Sequence, residues 1–314
     1  MVLSFLSHYN PNFLDNLVYV PFIFLGIEDV VYGKRSIKLP VFLGLSLITN
    51  FYTGYMMCLF VALYTFYVVF SSDVSLKAAV QRIAKVALFA LIGVGLAAFW
   101  LLPVFSALLE SKASAGITFA WSWNSVNDLV AMPQKFILGS FGEKEWGDSK
   151  ALPQLFIGGL GLFGLCTFFA KKEITIRKKL AATVVLLALL LSFSIQGFDQ
   201  IWHMGQRPVG FYFRNSWVAN SFMLVLASES LMQWKDEFRL NEFLVAIFGF
   251  GSILILSTLR SLQYVETSQK ILAFIIWVGI VLIFFLSNAE INRRLQLATG
   301  TVIFEMMMST FVGL

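Results

Sequence analysis

Apolar runs separated by short polar and often basic intervals occupy almost the whole chain. Runs of about 17 or more apolar residues, close to the ~20 needed to cross hydrocarbon as a helix, fall near 16–32, 55–70, 86–104, 154–170, 180–195, 214–233, 243–259, 271–287 and 297–314. They lack the alternation of barrel strands. Hydrocarbon also offers no partner to an open sheet edge, so the spans are predicted to be helices.

The stretch from Val41 to Phe70 exceeds one untilted crossing and is interrupted by Asn50-Phe-Tyr-Thr-Gly-Tyr55, a polar, Gly-containing sequence that reads as a turn. Lys34, Arg35 and Lys38 precede it and Lys77, Arg82 and Lys85 follow it, so both flanks belong on the cytoplasmic side and the chain must go up and come back. A helix of about 12 residues rises only ~18 Å. The turn would then lie at membrane depth, where irregular backbone is tolerated against protein or a water-filled cavity. The competing reading is a single tilted helix with a polar patch.

Alternation from the hairpin puts the loops 33–39, 71–85, 171–179, 234–242 and 289–296 inside. These hold fifteen of the 23 basic residues: Lys34, Arg35, Lys38, Lys77, Arg82, Lys85, Lys171, Lys172, Arg177, Lys178, Lys179, Lys235, Arg239, Arg293 and Arg294. A single crossing at 41–70 would invert every later loop, so the asymmetry favours the hairpin. The N-terminus, the 105–153 loop with Trp121, Trp123 and Trp146, and the 196–213 loop then share the outer face.

Composition agrees with this picture. With 58% hydrophobic residues, 33 Phe and 13% charged residues, the sequence is an all-α, polytopic transmembrane bundle, read as a single domain over 1–314 in a cell membrane. The net charge of +5 sets topology and implies no nucleic-acid partner. Cys58 and Cys166 sit inside apolar runs as small hydrophobes, without metal spacing. The opening Ser7-His-Tyr-Asn-Pro-Asn12 is half polar, lacks the basic region and cleavage site of a secretory signal, and resembles the interior of a longer protein.

Candidate chemistry concentrates between two apolar runs, in Gln196-Gly-Phe-Asp-Gln-Ile-Trp-His-Met-Gly-Gln-Arg-Pro-Val-Gly-Phe-Tyr-Phe-Arg-Asn-Ser-Trp217. Asp199, His203, Arg207 and Arg214 stand there among aromatic rings such as Trp202 and Tyr212. Guanidinium pairs with phosphate and rings stack on sugars, so the segment suits a lipid-linked saccharide at the bilayer surface. An interfacial aromatic belt reads equally well from the residues alone. Asp15, before the first span, is either a helix cap that complements the dipole or a base at the outer cavity. Intramembrane Glu229 and Glu305 are functional suspects by cost; for Glu229, between Ser228 and Ser230, a structural hydrogen-bonding role between helices is favoured, and Glu305 is left unassigned. His8 and His203 have no zinc-spaced partners, and Walker, dinucleotide and nucleophile-elbow motifs are absent from the sequence. No cofactor is implied, and no metal ligand set supports a divalent ion.

Leu25-Gly-Ile-Glu, Leu47-Ile-Thr-Asn-Phe-Tyr-Thr-Gly-Tyr-Met56, Leu101-Leu-Pro, Leu191-Ser-Phe-Ser, Ile201-Trp-His and Phe211-Tyr-Phe-Arg214, in this order and spacing, resemble the bacterial YfhO family. That resemblance implies a GT-C-like polytopic glycosyltransferase taking sugar from a polyprenyl-phosphate carrier and adding it, outside the membrane, to a cell-surface polymer such as lipoteichoic acid. It implies that Arg214 contacts carrier phosphate and that Asn50, Phe51 and Tyr52 belong to the turn. In the mechanism built on it, Arg207 joins Arg214 at the phosphate, Trp202 and Tyr212 position the sugar, and Asp199, His203 and Tyr55 complete the substrate-binding group. Family members begin with further spans and a first outer loop that carries the catalytic acid. This chain is expected to be their central membrane core, with Asp15 the only local substitute for that acid. Two other readings stay open: a flippase moving a lipid-linked saccharide without chemistry, and a non-catalytic remnant.

Overall fold

In the computed structural model, residues 15–110, 121–140, 152–206, 212–233, 240–259, 265–286 and 291–312 are described. Among them are eleven α-helices and no strand: α1 (Asp15–Val31), α2 (Lys38–Thr49), α3 (Phe51–Phe70), α4 (Leu76–Glu110), α5 (Gly159–Ala170), α6 (Ile176–Ser194), α7 (Gln196–Trp202), α8 (Ser216–Met232), α9 (Leu240–Leu259), α10 (Thr267–Leu286) and α11 (Ile291–Val312). Four of them, α3, α4, α9 and α10, are long and apolar enough to cross a membrane. The chain divides into two compact units, one of residues 5–126 and 175–208 and the other of residues 1–4, 127–174 and 209–314.

The first unit is organised around the broken hairpin. Tyr19 meets Thr49, Phe22 stacks on Phe42 with ring centroids 4.4 Å apart, and Lys38 donates to Asp29 at 2.8 Å, so α1 and α2 run antiparallel. Asn16 hydrogen-bonds Thr53, Phe24 stacks on Tyr64 at 4.3 Å, and the Tyr64 hydroxyl donates to Glu28 at 2.7 Å, so α1 and α3 run in the same direction. Helices α2 and α3 are therefore antiparallel, as the charge pattern requires. The break is tighter than the sequence suggests. Only Asn50 leaves the helical path, with φ −150°, and its side-chain oxygen accepts from the Tyr52 and Thr53 amides at 3.1 Å each. A self-sufficient N-cap removes the need for a loop. The segment read as a turn lining a cavity is thus the start of α3 from Phe51 onward.

Helix α4 also corrects the sequence reading. Its 35 residues rise about 52 Å, well beyond ~30 Å of hydrocarbon, whereas the apolar run covers 86–104. Lys77, Arg82 and Lys85 lie on this helix instead of in a loop, and the expected outer loop from 105 starts as helix through Glu110. Good helix formers carry it past both ends of the apolar run. Its buried positions are Ala79, Val86, Gly93 and Ala97, with Gly93 closest to α2: a Cβ there would lie 2.9 Å from the Pro40 carbonyl oxygen.

Helix α6 runs antiparallel to α3: the Lys178 ammonium lies 5.9 Å from the Tyr67 ring centre near one end, and at the other Tyr55 meets the main chain of α7. The basic 33–39 interval, Asp73 with Arg177, and Lys178 thus share one end of this unit. Asn16, Asn50 and α7 share the opposite end, as the topology count predicts.

Close backbone approach fixes the α1–α2 contact. A Cβ on Gly26 would stand 2.5 Å from the Leu39 amide nitrogen, a backbone atom that cannot rotate away. Gly26→Ala is expected to cost about 1–3 kcal/mol through overpacking, read as a lower thermal midpoint in detergent. A midpoint equal to wild type would show that the helices separate without cost.

In the second unit α5 and α8 run side by side in the same direction. Gly161 lies against Leu224, Gly164 against Ala227, and Thr167 and Ser230 share a 2.8 Å hydrogen bond. Ser230 in this pair is the neighbour of Glu229. Phe163 stacks on Phe284 of α10 at 5.2 Å, and Phe250 of α9 on Trp277 of α10 at 4.7 Å. The apolar run near 154–170 is helical only from Gly159, and Glu305 of α11 explains how it starts. Its buried carboxylate accepts from the Gly159 amide at 2.7 and 2.9 Å, capping α5 from another helix. Cys58 and Cys166 are free thiols, as their apolar settings suggest.

Candidate functional site

At the Asn50 end of the first unit, a long-range pairing shapes the 196–206 segment. The Gln196 amide donates to the Asn124 carbonyl at 3.0 Å, Gly197 to Ser122 at 2.9 Å, and Val126 to Ser194 at 2.9 Å. Residues 122–126 thereby run antiparallel to 194–197. The Trp121 ring closes over Gly197, where a Cβ would lie 2.8 Å from a ring carbon. Held this way, Gln196–Trp202 forms the seven-residue helix α7 where the sequence reading has loop. Its end is closed by the Gly205 amide donating to the Gln200 carbonyl at 2.7 Å, with Met204 at φ +56°, a left-handed C-terminal closure.

Residues 199 and 203 fall one turn apart at the buried side of this end. The side chains of His203 and Asp199 are 0% and 4% exposed, with His203 Nδ1 3.3 Å from Asp199 Oδ1. The same nitrogen is only 2.7 Å from the Asp199 main-chain oxygen. A carbonyl only accepts, so Nδ1 carries the proton and donates there, and Nε2 keeps its lone pair. Among the described residues, nothing hydrogen-bonds His203 Nε2, Asp199 Oδ1 or Gln200 Oε1, all of them buried. The Tyr52 ring lies 6.3 Å from the His203 ring, the Tyr55 hydroxyl donates to the Ile201 carbonyl at 2.8 Å, and Trp202 is buried. Asn50, Tyr52, Tyr55, Asp199, Trp202 and His203 therefore gather at one end of one unit. Asp15 is exposed in the first turn of α1, one residue before Asn16, which reaches Thr53.

Tyr212 and Arg214 belong to the second unit, and Arg207 lies outside the described residues. Arg214 is half-buried in the turn that opens α8. Before it, Phe213 holds φ +56°, an uncommon conformation for a side chain of that size. Its carbonyl is fixed twice, by the Ser216 amide at 2.9 Å and the Ser216 hydroxyl at 2.6 Å. The Ser216 hydroxyl also accepts from the Gln154 amide at 3.1 Å, and Asn220 donates to the Gln154 carbonyl at 3.0 Å. Asn215 occupies the N-cap position of α8 without capping it. It is fully buried, and among the described residues neither its amide nitrogen nor its oxygen has a hydrogen-bond partner; the buried atoms Trp217 Nε1 and Asn220 Oδ1, on half-buried residues, also have none.

The sequence reading missed Gln200, Asn215 and Asn220 as polar groups of interest. The signal for Asn215 was available in its place beside Arg214 before an apolar run; for Gln200 and Asn220, burial alone reveals them. Among the described residues no three His, Cys, Asp or Glu side chains could hold a metal ion together.

Compared with known proteins, residues 1–314 match the family described as Bacterial membrane protein YfhO. No curated protein and no solved structure matches the chain.

Proposed function

The chain belongs to the bacterial YfhO family of membrane proteins over residues 1–314, and from that premise we propose that it is the membrane core of a GT-C-like glycosyltransferase. It takes a sugar from a polyprenyl-phosphate carrier and transfers it to a hydroxyl of a cell-envelope glycopolymer, of the lipoteichoic acid kind, at the outer face of the membrane. The observation that carries this reading is the opening of α8, where Arg214 is followed by buried Asn215 and half-buried Trp217, whose buried Nε1, like both side-chain polar atoms of Asn215, has no hydrogen-bond partner among the described residues. An unpaired polar atom in a dry interior costs on the order of 1–3 kcal/mol. Keeping donors and acceptors there beside a guanidinium suits a ligand that offers both phosphate oxygens and hydroxyls.

In this reading Arg214 binds the carrier phosphate and stabilises the charge that grows on it as the glycosyl bond breaks. Tyr212, in the same unit as Arg214, is proposed for a ring contact with the sugar, while substrate roles for Arg207, Trp202, Tyr52 and Tyr55 rest on the family resemblance alone. Asp15 stays a candidate base.

Reconstitution of the purified chain in liposomes with a radiolabelled polyprenyl-phosphate sugar and a glycerol-phosphate polymer tests the proposal. Label appearing on the polymer is the expected result. Carrier crossing the bilayer with no label on the polymer would overturn it in favour of a flippase, which needs the same phosphate contacts and no chemistry.

A further inference from the structure

From a groove at the basic end of the first unit we infer a binding site for an anionic phospholipid, with its phosphate on Arg177 and an acyl chain between α4 and α6. The assignment is independent of glycosyl transfer. It lies at the end of the unit opposite Asn50 and α7.

The groove is a cavity of about 430 Å³, within the ~300–1,000 Å³ usual for small-molecule sites. Every residue that lines it belongs to the first unit. Phe66 and Phe70 of α3, with ring centroids 4.5 Å apart, form part of its wall. Leu76 and Ala79 of α4 line it as well, and so do Leu180 and Val184 of α6. Leu76, Leu180 and Val184 are exposed, so the groove is open to a chain entering from outside. Helices α3 and α4 are long and apolar enough to cross a membrane. The apolar walls near their ends therefore stand where lipid is the solvent.

Apolar walls alone would accept any hydrocarbon, and the polar rim selects the ligand. Ser72 and Arg177 complete the lining on that rim. Among the described residues both hydrogen bonds of Arg177 use Nη1, which donates to the Ser72 carbonyl at 3.2 Å and to Asp73 Oδ1 at 2.5 Å. The other guanidinium nitrogens can fork onto phosphate oxygens. Asp73 is the competing anion. Its side chain is 94% exposed, so the pair is a solvated one of small net worth that a headgroup can replace. Residues 66–82 and 177–184 include all the lining positions and hold five basic residues, Lys77, Arg82, Arg177, Lys178 and Lys179, against Asp73 as the one acid. That excess favours a negatively charged headgroup over a zwitterionic one. A free phosphate would satisfy the guanidinium and leave the apolar walls unused. The charge pattern assigns this end to the cytoplasmic side, so the lipid belongs to that leaflet.

The test titrates the purified full chain in detergent with dioleoylphosphatidylglycerol, followed by native mass spectrometry and by the thermal midpoint. Retained lipid and a raised midpoint are expected, as for any ligand that binds the folded state alone. Dioleoylphosphatidylcholine should bind more weakly, and glycerol phosphate should produce no shift. Arg177→Gln should weaken phosphatidylglycerol binding about fivefold, the share of one basic residue at a lipid surface. Val184→Trp fills the groove and should weaken binding with every charge in place. Lys172→Gln, in the same basic interval and outside the cavity, should leave binding nearly unchanged. Equal binding of the two lipids overturns the headgroup selection, and wild-type affinity in Val184→Trp overturns occupation of the groove. Equal losses in Arg177→Gln and Lys172→Gln would reduce the effect to general attraction and overturn the site. A shift with glycerol phosphate as large as with the lipid would overturn it in favour of a free anion.

Discussion

Arg214→Ala should lower sugar transfer from a polyprenyl-phosphate donor by at least about 10²-fold in turnover, the loss typical when one preorganised donor to a developing charge is removed. The side chain starts from a turn whose geometry is over-determined: Ser216 fixes the Phe213 carbonyl by both amide and hydroxyl, and Ser216 is itself tied to Gln154. The substitution therefore removes a guanidinium without releasing the backbone, and the thermal midpoint should stay near wild type. Arg214→Lys separates charge from shape. Lysine supplies a point charge and no planar fork, so it should recover part of the turnover with weaker donor binding. Full activity in Arg214→Ala would sink the phosphate role, and full activity in Arg214→Lys alone would reduce that role to simple charge.

Much of the architecture was legible because the solvent is lipid. Apolar runs must become helices there, and the basic residues told which ends belong together. Lys34, Lys38, Arg177 and Lys178 do share one end of the first unit, opposite Asn50 and α7. What sequence could not resolve depends on side-chain direction. Asn50 was recognisable as a polar interruption, but whether it starts a loop or caps the next helix depends on where its oxygen points. The extent of α4 was hidden because Lys77, Arg82 and Lys85 mark a membrane boundary without marking a helix end.

The polar segment from 196 to 217 shows the same division. Its residue types announced chemistry, and three of its named positions, Asp199, Trp202 and His203, do gather with Asn50, Tyr52 and Tyr55 at one end of the first unit. Helix α7 itself was not legible: it depends on pairing with residues 122–126, some seventy positions earlier, a contact no local pattern encodes. Nor could spacing reveal that Asp199 and His203 belong to one compact unit while Tyr212 and Arg214 belong to the other. The orphaned atoms of Gln200 and Asn220 emerge only once burial is known.

Breaking the ion pair between Lys171 and Glu242 in the second unit should produce the largest loss of stability. The two charges lie 3.6 Å apart with 6% and 3% side-chain exposure. Lys171 sits at the C-cap of α5 and Glu242 in the first turn of α9, so each also faces the helix end that favours its sign. Removing one partner takes the nearest opposite charge from a buried ion, a loss of about 3–5 kcal/mol, whereas replacing both by apolar residues of similar volume is often neutral. Lys171→Met and Glu242→Leu should each depress the thermal midpoint strongly, and the double substitution should return it close to wild type. Additive losses in the double-substitution cycle would refute the coupling. The same pair changes how the basic interval 171–179 is understood. Lys171 is buried against a carboxylate, so the orientation signal of this interval falls to its less buried basic residues, Lys172, Arg177, Lys178 and Lys179. Lys171→Met should then leave the accessibility of engineered loop cysteines unchanged even where it destabilises the fold, which separates the packing role of this lysine from its apparent place in the topology signal.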